Sequence, residues 1–410
     1  MSFQFPNDFY WGAATSAHQV EGNNHNDWAE WEKSESRIKN LESRIKKEDF
    51  RKQSPEHLFK KWPAPLDLEN YISGRACDHY SRFREDFDIA KSLGHNAHRF
   101  SIEWSRIEPE EGKFNEKEIE HYREVIRALR ERRIEPFVTL WHWPFPIWVA
   151  NQGGWENKKT VNDFAIYCER IAGALRDQVK FWVVLNEPGY WFVNAYVTKK
   201  FPAPKQSLFA PIRAYMHMIR AHKNVYKKMK DINKEFFIGI VESTGWIAPE
   251  TLRWVLHDIR NFIFPWFVKN YFDFFGLNYY RRAPIIGGNL GDVSEIGWEI
   301  YPEGLYQNIR GAYSRFGKPI FITENGIADS QDLKRTEFIK THLQAVARAV
   351  TEGIDVRSYF YWSLLDNFEW DSGFWPRFGL VGVDYKTMER KIRPSAFEYA
   401  KICKENKLEI

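Results

Sequence analysis

The sequence of 410 residues predicts an α/β protein, a (β/α)8 TIM barrel that forms a single domain with elaborated βα loops. Eight short apolar segments have the length of buried strands, and helical patterns lie between most of them. This alternation of strand and helix is the pattern of the barrel. A doubly wound open sheet is the alternative, but no glycine-rich phosphate-binding turn follows the first predicted strand.

The predicted strands lie, in chain order, at residues 9–16, 96–102, 134–142, 180–186, 236–241, 274–279, 319–323 and 356–363. Helices are predicted at 116–133, 159–176 and 335–352, where apolar residues recur three or four positions apart. The last of these ends at Gly353, a residue type that commonly stops a helix.

Two stretches interrupt this alternation within the single predicted domain, residues 1–410. Residues 32–68 are dense in Lys, Arg and Glu and predict a charged helical insertion at the surface, with a lid or a partner-docking element as the alternative. Residues 285–302 are rich in Gly and Asn and predict a long loop after the sixth strand, on the side where barrel loops border the site.

Composition excludes several classes of protein. The formal charge is only +4 with scattered Lys and Arg, so we expect no nucleic-acid partner. The three cysteines show neither metal-ligand spacing nor a disulfide pattern.

The chain start lacks a secretory signal, and no apolar run reaches the length of a transmembrane segment, which favours a cytoplasmic enzyme. The oligomeric state is not indicated. Most of the 18 Trp are expected in the core, with some stacking on sugar faces.

Two glutamates occur in similar contexts. Glu187 directly follows the fourth predicted strand, and Glu324 follows the apolar run of the seventh. A barrel keeps its chemistry at the carboxyl ends of its strands. Two carboxylates at these positions are typical of the acid and nucleophile of a glycosidase.

Other polar and aromatic residues recur at the same strand ends, and we interpret them as one site for a small-molecule carbohydrate. His142 has no second His or Cys at ligand spacing, so neither a metal nor a cofactor is predicted. Glu21 and Glu103 also follow strands, and we interpret them as structural. The predicted site residues besides the two glutamates are Gln19, Arg99, His142, Trp143, Asn186, Asn278, Tyr280, Trp362, Glu369 and Trp370.

Longer motifs around these residues resemble those of glycoside hydrolase family 1, the β-glucosidase and β-glycosidase family. They include residues 99–107 (RFSIEWSRI), 186–188 (NEP), 322–326 (ITENG) and 362–370 (WSLLDNFEW). The resemblance runs from end to end of the chain. Residues 21–24, Trp28 and the short length are most similar to the compact archaeal-type β-glycosidases of the family.

The resemblance implies a retaining β-glycosidase that cleaves terminal non-reducing β-D-glycosides through a covalent glycosyl-enzyme intermediate. β-Glucosides are expected first, with β-galactosides and β-fucosides as alternatives. Glu187 corresponds to the general acid/base and Glu324 to the nucleophile.

The remaining residues take supporting roles in the same resemblance. Arg99 and Tyr280 would support the nucleophile, and Asn186 would hold the sugar 2-hydroxyl. Asn278 is a further supporting residue. The other hydroxyls would be bound by a set of polar residues, and Trp362 would form the stacking platform, whereas Trp143 stays ambiguous. That set is Gln19, His142, Glu369 and Trp370.

Two positions depart from the family pattern. Gly189 stands where an aromatic residue usually follows the NEP motif, and residues 144–146 read Pro-Phe-Pro instead of Asp-Leu-Pro. These changes predict a more apolar leaving-group entrance, with alkyl or aryl β-glycosides preferred over long oligosaccharides.

Three other functions are alternatives for such a site. A 6-phospho-β-glycosidase is disfavoured because Glu369 would repel a phosphate. A catalytically silent sugar-binding barrel would need the loss of one carboxylate, and both are present. A transglycosylase would use the same residues and stays open.

Overall fold

Eight parallel strands close into a barrel in the computed structural model, which describes residues 2–45, 55–203, 209–248, 253–284 and 291–409. Each strand pairs with the next along the chain, and the eighth pairs with the first. The predicted (β/α)8 barrel is confirmed. In order, the strands are Tyr10–Ala14, Ala97–Ser101, Glu135–Trp141, Phe181–Asn186, Phe237–Ala248, Phe274–Pro284, Ile320–Asn325 and Val356–Trp362.

One long helix follows each strand. These helices are His79–Ser92, Glu116–Glu131, Lys159–Ala174, Ala210–Ile232, Arg253–Phe267, Pro302–Phe316, Arg335–Thr351 and Pro394–Glu405. Shorter helical segments lie in the connections: Ala17–Val20, Asp27–Trp31, Glu35–Ile45, Glu56–Lys60, Leu68–Tyr71, Trp104–Ile107, Ile147–Asn151, Gly154–Glu156, Pro188–Phe192, Val193–Val197 and Trp370–Ser372. Two small antiparallel pairs complete the fold, Ser2–Gln4 with Lys407–Glu409 and Val381–Val383 with Arg390–Ile392.

The fifth and sixth strands run well past their predicted ends at residues 241 and 279. Beyond the barrel they pair with each other, with Thr244 opposite Tyr279 and Trp246 opposite Arg282. We call this extension, residues 242–248 and 280–284, the ribbon. Its first residues are Glu, Ser, Thr and Gly, which carry no strand pattern, so its conformation comes from pairing rather than from local propensity.

The barrel interior is filled by aromatic rings. Six strands each contribute one phenylalanine, and Phe137 stacks on Phe181 with ring centroids 4.2 Å apart. Several of these rings, such as Phe181 and Phe274, belong to the first residue of their strand, so the cluster closes the amino end of the barrel. The opposite, carboxyl end stays open for the site. The six are Phe137, Phe181, Phe237, Phe274, Phe321 and Phe360.

The charged stretch at residues 32–68 contains the helix Glu35–Ile45 and the helical turn Glu56–Lys60, while residues 46–54 lie outside the described residues. Within the described part of the chain, no helix is both long and apolar enough to cross a membrane.

Phe321 lies among five other rings at the centre of this cluster, so Phe321→Ala tests the packing. The free energy of unfolding should fall by about 3–5 kcal/mol because the substitution leaves a cavity in a closed core. Guanidinium unfolding followed by tryptophan fluorescence measures this loss. Phe397→Ala is the control, since that side chain is 58% exposed and should change stability by less than about 0.5 kcal/mol. Equal losses in both variants would show that the rings do not form the core.

Candidate active site

A cavity of about 310 Å³ opens at the carboxyl ends of the strands. Both glutamates of the sequence prediction, Glu187 and Glu324, lie on its wall. Three other predicted residues, Gln19, Arg99 and Asn278, are buried outside the wall. The remaining predicted residues on the wall are His142, Trp143, Asn186, Tyr280, Trp362, Glu369 and Trp370.

Glu324 is held through both of its carboxylate oxygens. The Arg99 guanidinium donates to Oε1 at 2.5 Å, and the Tyr280 hydroxyl donates to Oε2 at 2.5 Å. Arg99 comes from the second strand and Tyr280 from the start of the ribbon, so both anchors sit on regular structure. The carboxylate is therefore oriented and stabilised in its charged form.

Glu187 is placed by the strand–helix junction and by one amide. It directly follows the fourth strand, with a left-handed φ of 47°, and the helix Pro188–Phe192 begins at the next residue. The Asn278 amide donates to Glu187 Oε1 at 2.7 Å, and the Thr323 hydroxyl donates to the Asn278 amide oxygen at 2.6 Å. The acid is therefore oriented by residues of the sixth and seventh strands.

The surroundings of the two glutamates affect their pKa values differently. Burial, followed by the charge of Glu324, raises the pKa of Glu187 to about 8. Burial also raises the pKa of Glu324, but Arg99 and the Tyr280 hydrogen bond oppose that rise. Near neutral pH, Glu187 therefore holds a proton, while the Arg99 ion pair and the Tyr280 hydrogen bond favour the charged form of Glu324.

Arg99 also organises a second chain of hydrogen bonds along the wall. It donates to Asn186 Oδ1 at 2.6 Å, and the Asn186 amide contacts His142 Nε2 at 3.1 Å. Burial and then Arg99 hold the pKa of His142 well below its usual value, so the ring is neutral. Its Nε2 accepts from the amide, which leaves the proton on Nδ1 as a donor without a protein partner in the described structure.

Aromatic rings and one more carboxyl complete the wall. The Trp143 ring lies 4.5 Å from that of Trp370, and the His142 ring stacks on that of Trp362 at 6.1 Å. The Trp143 indole also donates to the Asn186 carbonyl at 2.9 Å, which gives this residue a positioning role that the sequence left ambiguous. Burial and then Glu324 raise the pKa of Glu369 to about 8.

Gln19 lies behind the wall. Its amide donates to the Asn367 side chain at 3.0 Å and to the Phe368 carbonyl at 2.8 Å, which ties the first strand's loop to the segment that carries Glu369. The two strand-end carboxylates interpreted as structural make internal contacts. Glu21 pairs with Arg106, and Glu103 accepts from the Ser105 hydroxyl.

The structure adds wall residues that the sequence prediction missed. Several belong to the ribbon, which was missed because the fifth and sixth strands were predicted to end too early. Arg260 lies on a helix, where no strand-end pattern could indicate it. The expectation that the loop at 285–302 borders the site is confirmed by Ile296 and Trp298, while residues 285–290 lie outside the described residues. The residues that the sequence prediction missed are Asn194, Lys200, Phe201, Ser243, Thr244, Arg260, Arg281, Asp371, Ser372 and Trp375.

One expected feature of the entrance is wrong. Residues 144–146 do not form an apolar lip, because all three are buried and Phe145 is only 2% exposed. Its ring packs against Trp141 and Trp155 in the core.

The second departure, Gly189, lies against Glu242 of the ribbon. A Cβ at residue 189 would lie 3.3 Å from Glu242 Oε2, tighter than an ordinary contact. Burial, followed by the charge of Glu187, holds the pKa of the Glu242 carboxyl well above its usual value.

The charged insertion reaches the site through Asp371. Arg37 pairs with Asp371 Oδ1 at 2.6 Å, and Arg44 pairs with Oδ2 at 2.9 Å. Asp371 lies on the cavity wall directly after Glu369 and Trp370. The insertion helix thus restrains the segment that brings these two side chains to the cavity.

Comparison with known proteins identifies the family. The model of "Glycosyl hydrolase family 1" matches residues 1–273 and 288–408. The chain belongs to glycoside hydrolase family 1. Beta-glucosidase A of Thermotoga maritima is 32% identical to it over 468 residues, covering 99% of each chain. A beta-galactosidase of Sulfolobus acidocaldarius is 30% identical and covers 80% of this chain and 83% of its own.

Solved structures of the family agree with this assignment. A beta-glycosidase from Pyrococcus horikoshii has a TM-score of 0.86 and 35% identity, covering 100% of this chain and 97% of that one. The Thermotoga maritima beta-glucosidase in complex with deoxynojirimycin has a TM-score of 0.85 and 28% identity, covering 99% of this chain and 100% of that one. The predicted likeness to archaeal β-glycosidases is confirmed, and this family 1 chain is a β-glucosidase-like glycoside hydrolase.

The double variant Arg37→Met/Arg44→Met tests the clamp on Asp371. Removing both cations leaves a largely buried carboxylate unpaired, so the segment after the eighth strand should lose its position. We expect kcat/KM on a nitrophenyl β-glycoside to fall about tenfold or more. Lys39→Met on the same helix is the control, because Lys39 forms only an exposed pair with Glu35. Unchanged kinetics in the double variant would show that the insertion does not act on the site.

Proposed function

We propose that this glycoside hydrolase is a retaining β-glycosidase that removes terminal β-D-glycosyl units from the non-reducing end of its substrates. β-Glucosides are its first substrates, with β-galactosides and β-fucosides as alternatives. The observation that carries the proposal is the unequal setting of two neighbouring buried carboxyls. Glu324 is bound by a guanidinium and a hydroxyl, whereas Glu187 is bound by a neutral amide and keeps its proton near neutral pH.

These settings fit the two steps of a retaining mechanism. In the first step, Glu324 attacks the anomeric carbon and the bond to the leaving-group oxygen breaks as Glu187 gives that oxygen its proton. In the second step, Glu187 takes a proton from water, whose oxygen displaces Glu324 from the anomeric carbon. Glu187 is thereby reprotonated and Glu324 returns to its charged form.

Free hydrogen-bonding atoms on the wall support sugar binding. His142 Nδ1 and Glu369 Oε2 are buried and have no partner among the described residues. Together with the Trp370 indole they offer the donors and acceptors that ring hydroxyls need, and Trp362 offers an apolar face. The relatives include both a beta-glucosidase and a beta-galactosidase, which is consistent with either sugar in this subsite.

Single substitutions should separate the two carboxyl roles. Glu187→Ala should slow hydrolysis of an octyl β-glucoside by about 10²–10⁴-fold, since an alkoxide leaves poorly without a proton. Release of nitrophenol in the first turnover of the nitrophenyl glycoside should suffer much less, because nitrophenolate leaves unassisted. Its steady-state turnover should fall, because the second step loses its base. Glu324→Ala should abolish turnover of both substrates.

Steady-state rates on the two substrates measure these effects, together with release of nitrophenol in the first turnover. Glu120→Gln, an exposed carboxylate of the second long helix, is the control. Equal slowing of the first bond-breaking step on both substrates in Glu187→Ala, or wild-type rates in Glu324→Ala, would contradict the assignment.

The protonation of Glu187 sets the alkaline limb of the pH profile. A general acid works only while it holds its proton, so kcat/KM should be retained up to about pH 8 and fall above it. The same limb should be absent from Glu187→Gln, whose amide does not titrate. A pH–rate profile on the octyl β-glucoside, whose alkoxide leaving group needs the proton, checks both, and an alkaline limb that persists in Glu187→Gln would assign it to another group.

A further inference from the structure

Two arginines lie side by side on the cavity wall next to the acid. Arg260 comes from the helix Arg253–Phe267, and Arg281 comes from the ribbon directly after Tyr280. The Arg260 guanidinium covers Gly245, where an added Cβ would lie only 2.5 Å from Nη1. Because Trp246 pairs with Arg282, Gly245 is next to Arg281 across the ribbon. The glycine therefore makes room for the first cation beside the second.

Neither arginine has a carboxylate partner among the described residues. Arg281 makes a cation–π contact with Trp298, 5.0 Å from its guanidinium carbon to the ring centroid. By contrast, the adjacent Arg282 forms an ion pair with Glu299. Burial, followed by the charge of Arg281, lowers the pKa of Arg260, as expected for two cations that repel each other away from bulk water.

The two cations lie on the leaving-group side of the cavity. Arg260 and Glu187 are close enough for the charge of Glu187 to raise the pKa of the guanidinium. The charges of Glu187 and of both arginines also affect the pKa of Tyr190. Of the proposed sugar-binding residues, Trp362 instead ends the eighth strand, and Glu369 and Trp370 follow it. A sugar bound against them and attacked by Glu324 would direct its leaving group towards Glu187 and the ribbon.

We propose that the leaving-group side of this cavity binds an aglycone that carries an anionic oxygen group, a carboxylate or a phosphate. This proposal rests on the proposed function of the same site. A guanidinium presents several donors in a planar fork that matches such groups, and two of them surround a single anion. Bringing an anion between the cations also removes their mutual repulsion.

Neighbouring side chains fit the rest of such a ligand. The rings of Tyr190, Phe201 and Trp298 line the same cavity and suit a planar or cyclic aglycone. Ser243 and Thr244 of the ribbon add hydroxyls close by, and Lys200 adds a third positive charge to the wall. The entrance is thus aromatic and cationic, whereas the sequence predicts only a more apolar entrance.

Three matched aryl β-glycosides test the proposal, with 4-carbamoylphenyl, 4-carboxyphenyl and 4-phosphonophenyl leaving groups on the same sugar. The amide is the neutral counterpart of the carboxylate, so the ratio of kcat/KM isolates the charge. Wild type should favour at least one anionic substrate over the amide by about tenfold or more. The anionic substrate with the higher kcat/KM shows whether the subsite prefers a carboxylate or a phosphate-like group. The preference should shrink as salt is added, because screening weakens charge attraction.

Arg260→Gln and Arg281→Gln should bring the ratio of anionic to amide kcat/KM close to one. Arg170→Gln is the control, since Arg170 is an exposed residue that pairs with Glu116 on the outer side of the barrel. A ratio near one in wild type, or an unchanged ratio in both arginine variants, would overturn the anionic subsite. If wild type cleaves none of the three glycosides nor a nitrophenyl glycoside, the proposed hydrolase function itself fails.

Discussion

The ion pair between Arg99 and Glu324 is the contact on which the rest of the site depends. Arg99 is 1% exposed inside the barrel, and a buried cation is tolerated only when it is paired and hydrogen-bonded. It meets this condition by binding Glu324 on one side and Asn186 on the other. Through Asn186 it sets the protonated nitrogen of His142, and by keeping Glu324 charged it favours the proton on Glu187. A single buried charge thus links four groups that a sugar would meet.

The barrel supplies the rigidity that this arrangement needs. Phenylalanines close its amino end. Close packing there fixes the strands that position Arg99, Glu187 and Glu324 at the carboxyl end. At the other end, the long fifth and sixth strands continue as the ribbon and form the wall beside Glu187. The insertion helix restrains the opposite wall through Asp371. The geometry at the carboxyl ends is therefore supported from three directions.

Much of this could be predicted because a barrel brings all of its strand ends together. Glu187 and Glu324 are far apart in sequence, yet counting strands was enough to place both on one cavity. The ribbon was not predictable, since residues such as Glu242 and Ser243 form a strand only by pairing with the sixth strand, at Leu277 and Asn278. Arg260 and the clamp on Asp371 depend on contacts between distant segments. Phe145 was misplaced because an apolar residue after a strand is compatible with both the cavity entrance and the core. Only its packing against distant residues decides between the two positions.

The division of roles between the two glutamates predicts where a covalent bond forms. Glu187→Gln should accumulate a glycosyl-enzyme, because the neutral amide cannot activate the water of the second step. The direct measurement is to mix this variant with a nitrophenyl β-glycoside, quench in acid, digest with protease and map the added sugar by mass spectrometry. The retaining mechanism predicts one glycosyl group, attached to the peptide at Glu324. A sugar attached to any other residue, or product formation without any adduct in a variant that still releases nitrophenol in a burst, would contradict it.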